Sequence, residues 1–139
     1  MLRQLYRDWV SRCHGREMPT RGDFDIVDFK YIFGSINLFD VERDPLRFRF
    51  RVHGTKNVAR MSVDLTGKTV DDYQDADYRA LVNRYYADVV ETRRPLRVLR
   101  DPYEAGEKVL RWEGLILPLS QDGRTVNMLM VGVDLLPAE

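Results

Sequence analysis

The 139-residue chain balances 22 lysines and arginines against 22 aspartates and glutamates. A net charge of zero leaves no overall field to draw it to nucleic acid or an anionic membrane. Its 44% hydrophobic and 32% charged residues suit one domain over 1–139, and its single cysteine, Cys13, excludes an internal disulfide or a multi-cysteine zinc site. The opening MLRQLYRDWV is too charged for a secretory signal. No window approaches the roughly 20 apolar residues of a membrane span. Both point to a cytoplasmic protein.

Residues 2 to 14 place Leu2, Leu5, Tyr6, Trp9 and Cys13 at helical spacing, with Arg3, Arg7, Asp8 and Arg12 opposite. Gly15 and Pro19 stop this helix, and residues 1–22 form a helix plus connector ahead of a core at 23–135. In TRGDFDIVDFKYIFGS a short helix is expected, with Asp25 as N-cap, Asp28 as capping-box acid and Gly34 as stop. INLFDVE and LRFRFRV read as a hairpin through RDP, with Phe48, Phe50 and Val52 alternating against Arg47, Arg49 and Arg51. A short helix follows over TKNVARMS, then a DLTGKTV loop. The longest helix runs from about Asp75 to Thr92 on a stripe of Tyr78, Leu81, Val82, Tyr85 and Val89.

Three strands complete the chain: Leu96 to Arg100, Lys108 to Leu119 and Thr125 to Leu135, the last two joined through an Asp-Gly turn. Hairpins flanking a helical crossover predict an α+β domain on a five-stranded antiparallel sheet. The last strand, TVNMLMVGVDL, is apolar on both faces, so it belongs mid-sheet beside the first. The central helices cover one of its faces. The N-terminal amphipathic helix, from the same chain or a partner copy, covers the other.

The segments LYRDWVSRCHGREMPTRGDFD, FRFRVHGT, DLTGK and LILPLSQDGRTVNMLMVG resemble a proteobacterial group of stand-alone PAS domains. Arg51, Gly54 and Thr55 match its R-x-x-G-T segment, and Thr66, Gly67 and Lys68 its T-G-[RK]. Leu117, Pro118, Leu119, Asp122 and Gly123 match its terminal L-P-L-x-x-D-G hairpin, so the likeness runs from about Leu5 to Gly132. It implies a sensory or signalling fold enclosing a small cavity, often a homodimer with the N-terminal helix at its interface. Leu2, Leu5, Tyr6 and Trp9 are the interface residues so implied.

Within that picture Phe50, Met61, Tyr85, Trp112, Met128 and Met130 could converge between the long helix and the sheet. Flexible thioethers and aromatic rings suit an adaptable pocket, although a filled core is the plainer reading. Phe48 and Tyr78 belong to the same group. Tyr85 is its polar handle, since a buried phenol needs a partner, and Thr55 and Asn57 would stand at the mouth. His53 shares the wet face with Arg51 by strict alternation and meets a ligand only if a bulge at Gly54 turns it inward. His14, at the frayed end of the first helix, reads as solvated.

Haem-binding relatives place a histidine on the long helix, which has none here, and flavin photosensors place a cysteine in a short helix, far from Cys13. Haem and flavin photochemistry are therefore not expected, and the cofactor is unknown. No metal-ligand, nucleotide-binding or nucleophile motif occurs. Asp71 and Asp72 read as solvated loop carboxylates. The stripe Arg47, Arg49, Arg51 reads as a charged strand paired with Asp40 and Glu42, with Arg111 and Glu113 on the same sheet, rather than a nucleic-acid groove. Arg93, Arg94 and Arg97 complement the negative end of the long helix.

The leading reading is a non-enzymatic sensory module, a homodimer acting on a separate signalling protein, without nucleic acid, membrane or metal. The sheet takes up the chain almost to Glu139, which leaves no room for an effector region. A cone-fold isomerase would instead need a carboxylate, Glu113 or Asp134, near Tyr85. A ligand-free dimerisation scaffold is the third reading.

Overall fold

The computed structural model describes residues 1–105 and 108–136. Helix α1 spans Leu2–Arg12, α2 Thr55–Met61 and α3 Ala76–Thr92. The strands are β1 (Ile36–Glu42), β2 (Arg47–Val52), β3 (Leu96–Ala105), β4 (Lys108–Leu119) and β5 (Met128–Leu136). They form one antiparallel sheet in the order β2-β1-β5-β4-β3. The first and last strands are neighbours at its centre, as the two apolar faces of β5 require.

Facing residues in this sheet share a side, so the register defines both surfaces. Val131 lies opposite Asn37 and Ile116, and Met130 opposite Leu38 and Leu117. The first set faces α2 and α3; the second faces α1. A Cβ added to Gly132 would lie 2.7 Å from Leu5 and 2.9 Å from Leu2, so the missing side chain lets α1 settle directly on β5. The Trp9 indole N–H donates to the Pro118 carbonyl at 2.9 Å, and the Ser120 N–H donates to the Pro19 carbonyl at 2.9 Å. The L-P-L segment is thus the seat of the N-terminal segment. Leu2, Leu5 and Trp9 are buried against the chain's own sheet, while Tyr6 is 44% exposed. The first three, named above as dimer-interface residues, are buried within the single chain.

Three features depart from the sequence reading. The segment 21–35 is not one helix but three 3-10 turns, Arg21–Asp23, Ile26–Phe29 and Phe33–Ser35. Asp25 does cap, accepting from the Val27 N–H, but Asp28 reaches Arg12 at 2.8 Å and Gly34 lies inside the third turn. The local capping signals are real; Phe24, Phe29 and Ile32, all buried, hold the chain to the sheet in turns too short for an α-helix.

The Asp-Gly site, secondly, sits in an eight-residue loop, longer than the connection expected between strands ending at Leu119 and starting at Thr125. The Asp122 carboxylate accepts from the N–H groups of Arg124 and Thr125 and from the Ser120 hydroxyl, and these bonds lower its pKa to about 2. Loop backbone thereby finds partners in a side chain instead of a ladder.

Thirdly, the β1–β2 register shifts between Leu38, opposite Val52, and Phe39, opposite Phe50. The shift puts Val52 on the α1 side and turns His53 inward, one step before the Gly54 bulge considered above. Phe48 and Phe50 are buried, and Arg49 and Arg51 pair with Glu42 at 2.8 Å and Asp40 at 3.0 Å, as the alternation indicates. The outer edge of β2 is shielded where the Phe50 N–H donates to the Lys68 carbonyl and the Gly67 N–H to the Phe50 carbonyl.

Candidate functional site

Between α2, α3 and the sheet lies a cavity of about 110 Å³. Its floor is built by alternation: Ile116 and Gly114 from β4, Val131 and Val133 from β5, Val98 from β3. Helix α3 contributes Tyr78, Val82, Tyr85 and Tyr86, and Tyr73 precedes it. A Cβ on Gly114 would lie 2.9 Å from the Trp112 ring and 3.1 Å from Val98, so this glycine leaves space for both.

One rim is polar. The Gly54 N–H and the Asn57 amide N–H both donate to Asn37 Oδ1 at 3.0 Å, and Arg60 donates to Asn57 Oδ1 at 3.1 Å. The chain begins at a backbone N–H, which can only donate, so the orientation of each amide is forced. Burial lowers the Arg60 pKa, with Asp134 acting at a distance in the opposite sense. Arg60 has no ion-pair partner among the described residues, whereas Arg12, Arg49, Arg51 and Arg97 each have one within 3.0 Å.

Of the residues expected around the pocket, Asn57, Met61, Tyr78, Tyr85 and Trp112 line this cavity. Phe50 is buried beside it, 4.4 Å from Phe39 and 6.1 Å from Tyr73 between ring centroids. Thr55 opens α2 on the exposed side. Met128 and Met130 lie on the α1 side, because the β4 register sends their odd-numbered neighbours to the cavity. Met130 instead helps line a separate apolar groove with Phe33 and Val52.

His53 is buried but packs on Phe50 rather than lining the cavity. Its Nδ1 accepts the Leu65 N–H at 3.1 Å, which places the neutral ring's proton on Nε2, and Nε2 has no partner among the described residues. Burial lowers the His53 pKa below 6.5, with Asp64 opposing. As pH falls below that value the unfolded chain takes the proton first. Stability is therefore intact above pH 6.5, declines as pH falls through the folded value, and levels off beneath it. Urea midpoints between pH 7.5 and 5 should fall in the wild type and hold nearly constant in His53→Asn; parallel curves would refute the assignment.

Sequence reasoning passed over Tyr86, Tyr73, Asn37 and Arg60. Tyr86 is buried, its ring 5.0 Å from Phe39 and edge-on to Phe48 at 5.4 Å, and burial raises its pKa well above the usual phenol value. Val82, Tyr86 and Val89 keep helical spacing as well as Val82, Tyr85 and Val89 do. Arg60 had a signal, lying three residues after Asn57 on a short helix.

A cysteinyl photosite does not fit. Cys13 follows α1, on the other side of the sheet, with Sγ toward the Trp9 carbonyl at 3.4 Å. Among the described residues no cluster of three or more His, Cys, Asp or Glu could hold a metal ion, and no helix is long and apolar enough to cross a membrane.

Among solved structures, the chain is similar to a Rhodobacter sphaeroides LOV protein at 15% identity and a TM-score of 0.56, over 81% of this chain and 69% of that one. An RsLOV variant gives 13% identity, a TM-score of 0.56, and 81% and 68% coverage. The PAS domain of the histidine kinase ThkA matches at 13% identity and a TM-score of 0.50, over 71% of this chain and 98% of that one. No curated protein matches. These likenesses speak for the fold alone; the PAS-domain family pattern matches residues 1–133, and the chain belongs to the PAS-domain family.

Proposed function

We propose that this protein is a cytoplasmic sensory module that binds a small molecule between α3 and the sheet and signals to a separate protein through α1. One observation carries the reading: β5 is cavity wall on one face and the seat of α1 on the other. Val131 and Val133 line the cavity, while Gly132 between them meets Leu2 and Leu5. A guest with unequal affinity for two positions of β5 would therefore bias how α1 docks. Family membership supports the sensory role.

The homodimer proposal moves to the outer face of α1. There Tyr6 and Val10, one turn apart, are 44% and 48% exposed. The isomerase reading draws no support: Glu113 pairs with Arg97 at 2.8 Å on the α1 side, Asp134 lies near Met1 and Leu2, and no carboxylate lines the cavity among the described residues.

Native mass spectrometry of protein purified from its own host tests both halves. The expected species is twice the 16.4 kDa chain with the added mass of a small organic molecule. A single chain would remove the dimer, and a bare mass would favour a ligand-free scaffold.

A further inference from the structure

The cavity's polar groups are unequal in kind. Asn37 Oδ1 already accepts from two donors, and Asn57 Oδ1 accepts from Arg60. What remains is Asn37 Nδ2, which can only donate, and the phenol hydroxyls of Tyr73 and Tyr86, which can donate or accept; none of the three has a hydrogen bond to a described residue. Asn37, Tyr73 and Tyr86 are each more than nine-tenths buried. Arg60 adds a half-buried guanidinium with no ion-pair partner among the described residues, Asp134 acting on it only at a distance. A partly buried cation without an ion-pair partner is costly, and an anionic guest would relieve that cost.

Size narrows the guest further. A dry cavity of about 150 Å³ admits benzene, so about 110 Å³ between aromatic and valine walls limits the guest to at most one ring, with any substituent out at the rim. From these observations we propose that the cavity binds a single-ring aromatic carboxylate, the ring among Val82, Val98 and Val131 and the carboxylate on Arg60. The idea rests on the sensory-pocket reading above and adds the chemical class of its ligand. The carboxylate brings acceptors to the Arg60 guanidinium, which meets it with two parallel N–H groups, and to Asn37 Nδ2 and phenol hydroxyls able to donate. An ammonium-bearing ring would face Arg60 with like charge and is excluded.

Benzoate and benzyl alcohol, followed by two-dimensional amide NMR, test this. Trp112 borders the cavity, whereas Trp9 is hydrogen-bonded on the opposite side of the sheet. Benzoate should move the Trp112 indole signal and leave that of Trp9 in place. Arg60→Gln should weaken benzoate about tenfold or more, as expected for a lost charge-assisted hydrogen bond, while Arg60→Lys, which keeps the charge but not the paired N–H geometry, should weaken it less. Benzyl alcohol should bind more weakly and ignore both substitutions; an unmoved Trp9 signal shows that the variants fold. If benzyl alcohol binds as tightly as benzoate, or Arg60→Gln leaves benzoate unchanged, the carboxylate assignment falls and the pocket stands. If neither probe moves Trp112 at millimolar concentration, the pocket falls with it.

Discussion

Replacing Trp9 with alanine is expected to lower the unfolding free energy by about 4 kcal/mol, a large part of a typical domain's stability. The indole is 6% exposed, and its N–H satisfies the Pro118 carbonyl. Truncation removes the packed ring, opens a gap beneath α1 and leaves that acceptor unpaired. Trp9→Phe separates these causes: it restores most of the packing and should cost about 1 kcal/mol for the lost hydrogen bond. Urea denaturation measures both. A loss under 1 kcal/mol for Trp9→Ala, with a dimer falling apart instead, would mean that α1 serves a neighbouring chain.

Gly54→Ala is expected to be of similar consequence, costing about 3 kcal/mol or more. The backbone φ of −55° suits any residue, so conformation is not the obstacle. Space is. An added Cβ would lie 2.5 Å from the Gly34 carbonyl oxygen and 2.6 Å from that of Ile36, and neither backbone atom can swing aside. The strand-to-helix corner would open, parting the Gly54 N–H from Asn37 Oδ1 and loosening the Asn57–Arg60 rim. Thermal unfolding should show a lower midpoint, and the Trp112 signal should broaden or shift. An unchanged midpoint would show that α2 docks elsewhere.

These two sites also show what can be read from the chain alone. The apolar stripe of α1 and the two apolar faces of β5 require a two-sided sheet, because each strip of apolar surface needs a cover. The strict Phe and Arg alternation of β2 likewise implies its buried and ion-paired faces. Orientation is harder. In β5 both faces are apolar, so alternation separates Met128 and Met130 from Val131 and Val133 without saying which pair meets α3. Only the β4 register decides, and register depends on the long Asp122-centred loop. The neighbouring phenols Tyr85 and Tyr86 pose the same difficulty on α3, where helical spacing accepts either. His53 was misplaced because a bulge resets the phase of a strand without marking its residue types. Arg60 escaped notice because a partly buried arginine without an ion-pair partner is recognised by what surrounds it in space.

The central claim is that the fold keeps a hollow between α3 and the sheet where a filled core could have formed. Xenon-pressurised crystals test this most directly, since xenon occupies apolar voids without needing hydrogen bonds. The account predicts a bound atom among Val82, Val98 and Val131. An empty map there, or xenon only in the groove beside Phe33, would contradict it.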